Sequence, residues 1–296
     1  MLRVLFGLLV CFASFVAPAA QAGILGINGP TQLEDDDWES QVKDGGTLGK
    51  LDVGDILLAV VVIQKSSPVL GVQNLALDGS LTSGANTSYS SSTKTITGIS
   101  IIRVASVVST LLGFGAEFSF VGATAAEWLL YSGLVVTDGV AAILYEDPIS
   151  FPAEHITFTS VALGIATATN GSMIAEFTPV AWKANSVDLT GDPTDPLKID
   201  VLDFVAGLNT SNPIFAPHNI LADPDFAPTG DVQAFFAGIG PTDLQLQGSL
   251  GTGAKGGFQL ATDSDLYVNI VPEPASFAIF GLMTLGGIAY RRRQSK

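Results

Sequence analysis

The sequence predicts a mainly β fold: an antiparallel β-sandwich or jelly-roll-like core with one or two short helices, followed by a C-terminal hydrophobic helix. Three observations carry this. Segments rich in Val, Ile and Thr recur along the chain, several alternate strictly between apolar and polar residues, and clusters of Gly, Pro, Asn, Asp and Ser separate them. Alternation marks a strand because successive side chains point to opposite faces of a sheet. Many short strands with turn-forming punctuation favour packed antiparallel sheets over a parallel α/β sheet.

Residues 1–22 read as a signal peptide. Arg3 supplies the positive start, Val4 to Val16 is almost uninterruptedly apolar, and Ala20 and Ala22 place small side chains where a signal peptidase reads them, so cleavage is expected before Gly23. The apolar run is shorter than the ~20 residues of a spanning helix. Cys11, the sole cysteine, lies inside it. The expected domain, 23–270, therefore has no disulfide, thiol nucleophile or Cys-ligated metal.

Within that domain, Asp35-Asp36-Asp37 reads as a solvated charge run. Asp55 to Ile63 is the apolar run of a strand buried on both faces. Asp78 to Gly98 is a Ser, Thr, Gly and Asn stretch suited to an exposed loop or hairpin tip, and Thr95 to Val104 is a strand. Thr124-Ala125-Ala126-Glu127 fits a capping box for a helix through Trp128 to Ser132, with Gly133 ending it. Such a helix is expected to cover a sheet edge or end. Met173, Ala175 and Phe177 alternate with polar or opposite-face neighbours, and Ile199 to Leu208 is expected to form a second short helix. Leu244 to Gln247 and Leu266 to Ile270 alternate strictly, so each is expected to turn one face to a core and one to water.

Little in this domain signals catalysis, and no catalytic residue is assigned. Gly251-Thr252-Gly253-Ala254-Lys255-Gly256 has the spacing of a dinucleotide loop, but a strand rather than a helix follows, so a hairpin turn is the better account. His155 and His218 are the only histidines, without a nucleophile elbow or a zinc-binding helix beside them. Three Asn-x-Ser triplets, at Asn86, Asn170 and Asn209, recur as expected by chance in a Ser-rich chain. The strongest metal candidate is the Asp-rich stretch Asp188, Asp192, Asp195, Asp200 and Asp203. Calcium takes several hard oxygen ligands, and Asp188, Asp192 and Asp195 stand in a turn that offers carboxylates and carbonyls close together. Solvated turn aspartates are the alternative, and no other cofactor is expected.

Charge narrows the partners. Five of the 13 Lys and Arg and one of the 28 Asp and Glu lie in the two ends, which leaves 8 basic residues against 27 acidic ones. A domain this acidic is repelled by phosphate backbones, so nucleic acid is not an expected partner.

The tail has three parts. Val271-Pro272-Glu273-Pro274-Ala275-Ser276 is held extended by its prolines, Phe277 to Tyr290 is apolar, and Arg291-Arg292-Arg293 resists translocation. Ala275 to Tyr290 as a helix spans roughly 24 Å against a hydrocarbon core of ~30 Å, short for a permanent anchor. On these residues the chain resembles the PEP-CTERM family of exported proteins. The resemblance covers the last 26 or so residues and implies that an exosortase recognises Pro272, Glu273 and Pro274 while Arg291, Arg292 and Arg293 act as the membrane stop. It also implies a passing inner-membrane stage before delivery to the cell surface or extracellular matrix. The core is left without a biochemical assignment by that resemblance, because the tail is shared across unlike domains. The expectation is a non-enzymatic surface or matrix protein, in contact with extracellular polysaccharide. The alternative is a secreted carbohydrate-active enzyme or carbohydrate-binding sandwich, which would show exposed Trp128 or Trp182 beside paired acids.

Overall fold

The alternating segments become strands in a computed structural model, which describes residues 29–43, 50–68, 87–88, 95–110, 115–147, 160–187, 194, 201–218, 232–251 and 258–270. The expected signal peptide (1–22), the Pro-Glu-Pro segment with its apolar helix and arginines (271–296), His155, and Asp188, Asp192, Asp195 and Asp200 lie outside the described residues. The strands are β1 (Gly29–Lys43), β2 (Ile56–Pro68), β3 (Thr87–Ser88), β4 (Thr95–Thr110), β5 (Gly115–Gly122), β6 (Ala142–Asp147), β7 (Ser172–Val187), β8 (Val201–Asn209), β9 (Leu244–Gly251) and β10 (Leu260–Ile270). The helices are α1 (Ala125–Ser132), α2 (Val161–Ala168) and α3 (Val232–Ile239).

All strand pairs are antiparallel and belong to one sheet. β2, β1, β10, β9, β8, β7, β5 and β4 pair in that order, and β4 pairs back onto β2, so the sheet closes into a barrel. Two facing sheets, the expected sandwich, are not what the chain builds. Alternation in sequence fixes which side chains share a face but not whether that face meets a second sheet or curls onto itself. Strands as long as the 16-residue β4 and β7 accumulate enough twist to close, and closure removes open edges. One barrel position is shared: β4 pairs β6 through Thr95 to Ser100 and β5 from Ile102 onward, and β7 makes the matching change of partner around Pro179. Proline lacks the ladder donor, and here it sits where the β7–β8 register shifts.

The two faces of the wall carry different cores. Ile63, Ile96, Phe118, Phe177, Phe204 and Leu266 point inward to one cluster. Alternate residues of the same strands, Ile56, Leu58, Val60, Ile99 and Ile143, join Trp38, Trp128 and Ile165 in a second cluster outside the wall. That is why Asp55 to Ile63 reads as an uninterrupted apolar run: β2 is covered on both sides. An eight-position barrel is just wide enough for side chains to fill. Among them Phe177, Trp182 and Phe204 leave a cavity of only about 40 Å³.

α1 forms as its capping box predicts. Thr124 Oγ1 accepts from the Glu127 backbone N–H at 3.3 Å, and the Thr124 N–H donates to Glu127 Oε2 at 2.8 Å. Burial alone would raise the Glu127 carboxyl, but the two Thr124 hydrogen bonds and the charges of Arg103 and Lys43 bring it below its ordinary value. Gly133 ends the helix in the left-handed conformation, φ 77°. α1 is fastened by Trp128, which is buried in the outer cluster and donates from Nε1 to the Val140 carbonyl at 2.7 Å. α2 adds to the same layer, held by Thr97 Oγ1 donating to the Ala168 carbonyl at 2.8 Å.

Ile199 to Leu208 is a correction: Val201–Asn209 is the strand β8, not a helix. Its Phe204, Ala206 and Leu208 enter the barrel while Val205 packs outward beneath α3. Apolar residues on both faces blur the period of two, which makes such a strand resemble a helix in sequence. A second correction concerns β9 and β10. Alternation predicts that Gln245, Gln247 and Tyr267 face water, whereas all three are fully buried under the outer layer.

Candidate functional site

The outer face of β8, β9 and β10 is where polar side chains gather in the interior. Register places Gly207, Gln245 and Tyr267 side by side across the three strands, with Val205, Gln247 and Asp265 in the next row. α3 lies over them through Phe235, Phe236 and Ile239. Its close seating depends on Gly207, where a Cβ would overlap Ile239 Cδ1 and come within 3.0 Å of Thr242 Cγ2.

His218 enters this layer from the segment that follows β8. Its backbone exchanges two hydrogen bonds with Thr242, at 2.9 and 3.0 Å, just beyond the end of α3. Its ring Nε2 lies 2.9 Å from the Tyr267 carbonyl. A carbonyl only accepts, so Nε2 carries the proton and Nδ1 of the neutral ring is bare. His218 Nδ1, Thr242 Oγ1 and Gln245 Oε1 are buried without a hydrogen-bond partner, while Gln245 Nε2 donates to the His218 carbonyl at 3.4 Å. Burial pushes the His218 ring down to about 4, against the Tyr267 carbonyl and its own backbone, which favour the charged form.

Asp203 lies two residues before Val205 on the same face, opposite Asn185 and Ser249. Its Oδ2 is buried and unpartnered, and burial raises the carboxyl to about 6. A folded-state value above the unfolded 3.8 means that stability is full below pH 3.8 and is lost as pH rises through 6. Asp203→Asn removes that loss. Two pH units correspond to about 3 kcal/mol, and discounting for a half-exposed group leaves about 1–2 kcal/mol of stabilisation at pH 7.5. Melting curves should show the variant higher by about 2–6 °C at pH 7.5 and indistinguishable from wild type at pH 3.5.

Of the residues singled out in the sequence, Asp203 is therefore the described member of the acidic stretch. Among the described residues, no three of His, Cys, Asp and Glu gather closely enough to hold a metal ion. β9 and β10 pair antiparallel with Gly251 opposite Ala261, while residues 252–257, on which the expected hairpin turn falls, lie outside the described residues. Trp128 and Trp182, the rings on which a sugar would stack, are buried, at 0% and 7% exposure. The polar row around His218 is hidden in the sequence because its β9 glutamines alternate with leucines in the manner of a water-facing strand. The signal available was α3 itself, whose Phe235, Phe236 and Ile239 form an apolar stripe needing a face to cover.

Comparison with protein-family models, with curated proteins and with solved structures finds no match to the chain.

Proposed function

We propose that the chain is a non-enzymatic exported protein of the cell surface or extracellular matrix, secreted through residues 1–22 and sorted by residues 271–296. The observation that carries this reading is the coupling of a signal peptide to the ordered tail Pro272-Glu273-Pro274, apolar segment, Arg291-Arg292-Arg293. The barrel is compatible with a structural role. Its interior cavity, about 40 Å³, is well below the ~150 Å³ in which an apolar cavity takes benzene. The carbohydrate reading is the less supported, because Trp38 and Trp182 of the wall and Trp128 of α1 are all buried and none offers a ring to a sugar. Calcium at Asp188, Asp192 and Asp195 remains an accessory proposal of ligand chemistry.

Two changes to the tail separate sorting from simple anchoring. Deleting residues 271–296 removes the stop, so the domain is exported and released as a soluble species. Replacing Pro272, Glu273 and Pro274 with alanine keeps the stop but removes the recognition element, so uncut precursor accumulates in the inner membrane. Fractionation with intact-mass analysis, in cells that carry an active sorting enzyme, reads both. Wild-type protein found at its final location with the tail intact would leave only a membrane-tethered domain.

A further inference from the structure

The segment 210–218 is tied to β10 and to the exit of α3 through three residues. Phe215 bridges Ile270, the Ala216 N–H donates to the Asn269 carbonyl at 2.8 Å, and His218 exchanges its backbone hydrogen bonds with Thr242. Gly240, with φ 77°, closes α3 two residues before Thr242, so His218 holds the exit of that helix. The His218 ring ties the same point to β10 through the Tyr267 carbonyl, and the Tyr267 side chain packs on Phe236 of α3. We propose that His218 is an acid-sensitive latch: neutral, it fixes the 210–218 segment and the exit of α3 against β10; protonated, it frees α3 from the barrel wall.

The direction follows from what surrounds the ring. Protonation adds an N–H at Nδ1 and a full charge in a site where His218 is 8% exposed. A buried imidazolium without a counter-charge is costly, whereas in an opened segment it is solvated. α3, Val232 to Ile239, carries no ionisable residue. From its exit come Thr242 and Asp243, whose carboxylate already accepts the Thr210 N–H at 2.8 Å. β9 presents Gln245 and Gln247, β10 presents Tyr267 and Asp265, and β8 presents Asp203 beyond Val205. None of these carboxylates acts on the proton affinity of the ring, which is governed by burial, the Tyr267 carbonyl and its own backbone. The response is local because α3 is held by the small cluster of Phe235, Phe236, Ile239, Val205 and Tyr267, separate from the barrel interior.

The sign fixes the window. A histidine whose folded value is depressed contributes stability that is present above the unfolded 6.5 and is lost as pH falls from there toward 4. Hydrogen exchange read by mass spectrometry on the purified protein, corrected for the intrinsic pH dependence, tests it. Amides of residues 232–243 should lose about tenfold or more of their protection between pH 6.5 and 5.0, while those of β4 and β7 hold theirs. His218→Gln keeps an N–H donor for the Tyr267 carbonyl but cannot ionise, so protection of α3 should stay flat across that range. Equal acid loss in wild type and His218→Gln, or no loss in wild type, overturns the latch. Should the variant not fold, NMR titration of the wild type decides, with His155→Gln to assign the two histidines: a native His218 titrating near 6.5 overturns the proposal, and one well below it supports it.

Discussion

Gly122→Ala is expected to lower the melting temperature by roughly 6–12 °C, corresponding to about 3 kcal/mol in a domain of this size. Gly122 ends β5 directly beneath the turn that returns from α1. A Cβ there would overlap the carbonyl group of Gly139 and lie 2.8 Å from the Val140 carbonyl oxygen. Both neighbours are backbone, so no rotamer change relieves the contact and the two chain segments must separate. Their separation strains the hydrogen bond from the Gly139 N–H to the Ala123 carbonyl, 3.1 Å, and the one from Ala123 to Ile101, 3.2 Å. Gly133→Ala is the informative comparison. It meets nothing within 4 Å, and only its φ of 77° resists a side chain, so it should cost about 1 kcal/mol. Thermal melts of the two variants side by side separate crowding from conformational strain, and equal shifts would mean that the Gly122 contact is relieved by backbone movement.

How far the fold could be read from the sequence depended on whether the signal was local. The Thr124 capping box and Gly133 needed only neighbours three to nine residues apart, and α1 formed as expected. β2, β4 and β10 were legible from β-branched runs and alternation. Closure was not: Ile56 pairs Arg103 and Gly29 pairs Ile270, and alternation says nothing about which strands meet across such distances. The helix expected at Ile199 to Leu208 failed for a related reason, since α3 covers the outer face of β8 and fills positions that a half-buried strand would leave polar. Gln245 and Gln247 show the converse: polar residues mark a face toward water only if nothing folds back over it. His218 is one of only two histidines, yet its place in the buried layer rests on contacts with Thr242 and Tyr267, 24 and 49 residues away, that no short motif encodes. The expectations that concern export and sorting fall on residues 1–22 and 271–296, outside the described residues.

Trp128→Ala should be the most damaging single change in the outer layer, because three separate losses coincide at one residue. The indole is fully buried, packed with Trp38, Val140 and Ile165 between the wall and the helices. Truncating a buried tryptophan costs about 3–5 kcal/mol in lost transfer energy and residual cavity. Its Nε1–H is also the donor to the Val140 carbonyl at 2.7 Å, and leaving that buried acceptor unsatisfied adds about 1–3 kcal/mol. The third loss is cooperative: α1 is 8 residues long, too short to persist without its packed face, so its capping box cannot hold it alone. Trp128→Phe helps to separate the contributions, since it keeps a phenyl ring in the pocket but removes the donor and the rest of the indole, and it should cost more than the about 1–3 kcal/mol of the unsatisfied carbonyl but less than Trp128→Ala. Urea unfolding of the two variants measures both free energies, with an unchanged m-value as the check that each still unfolds from a folded barrel. If Trp128→Phe proved as damaging as Trp128→Ala, the phenyl ring would contribute nothing, and the donor to Val140 together with the pyrrole part of the indole would be what fastens α1 to the wall.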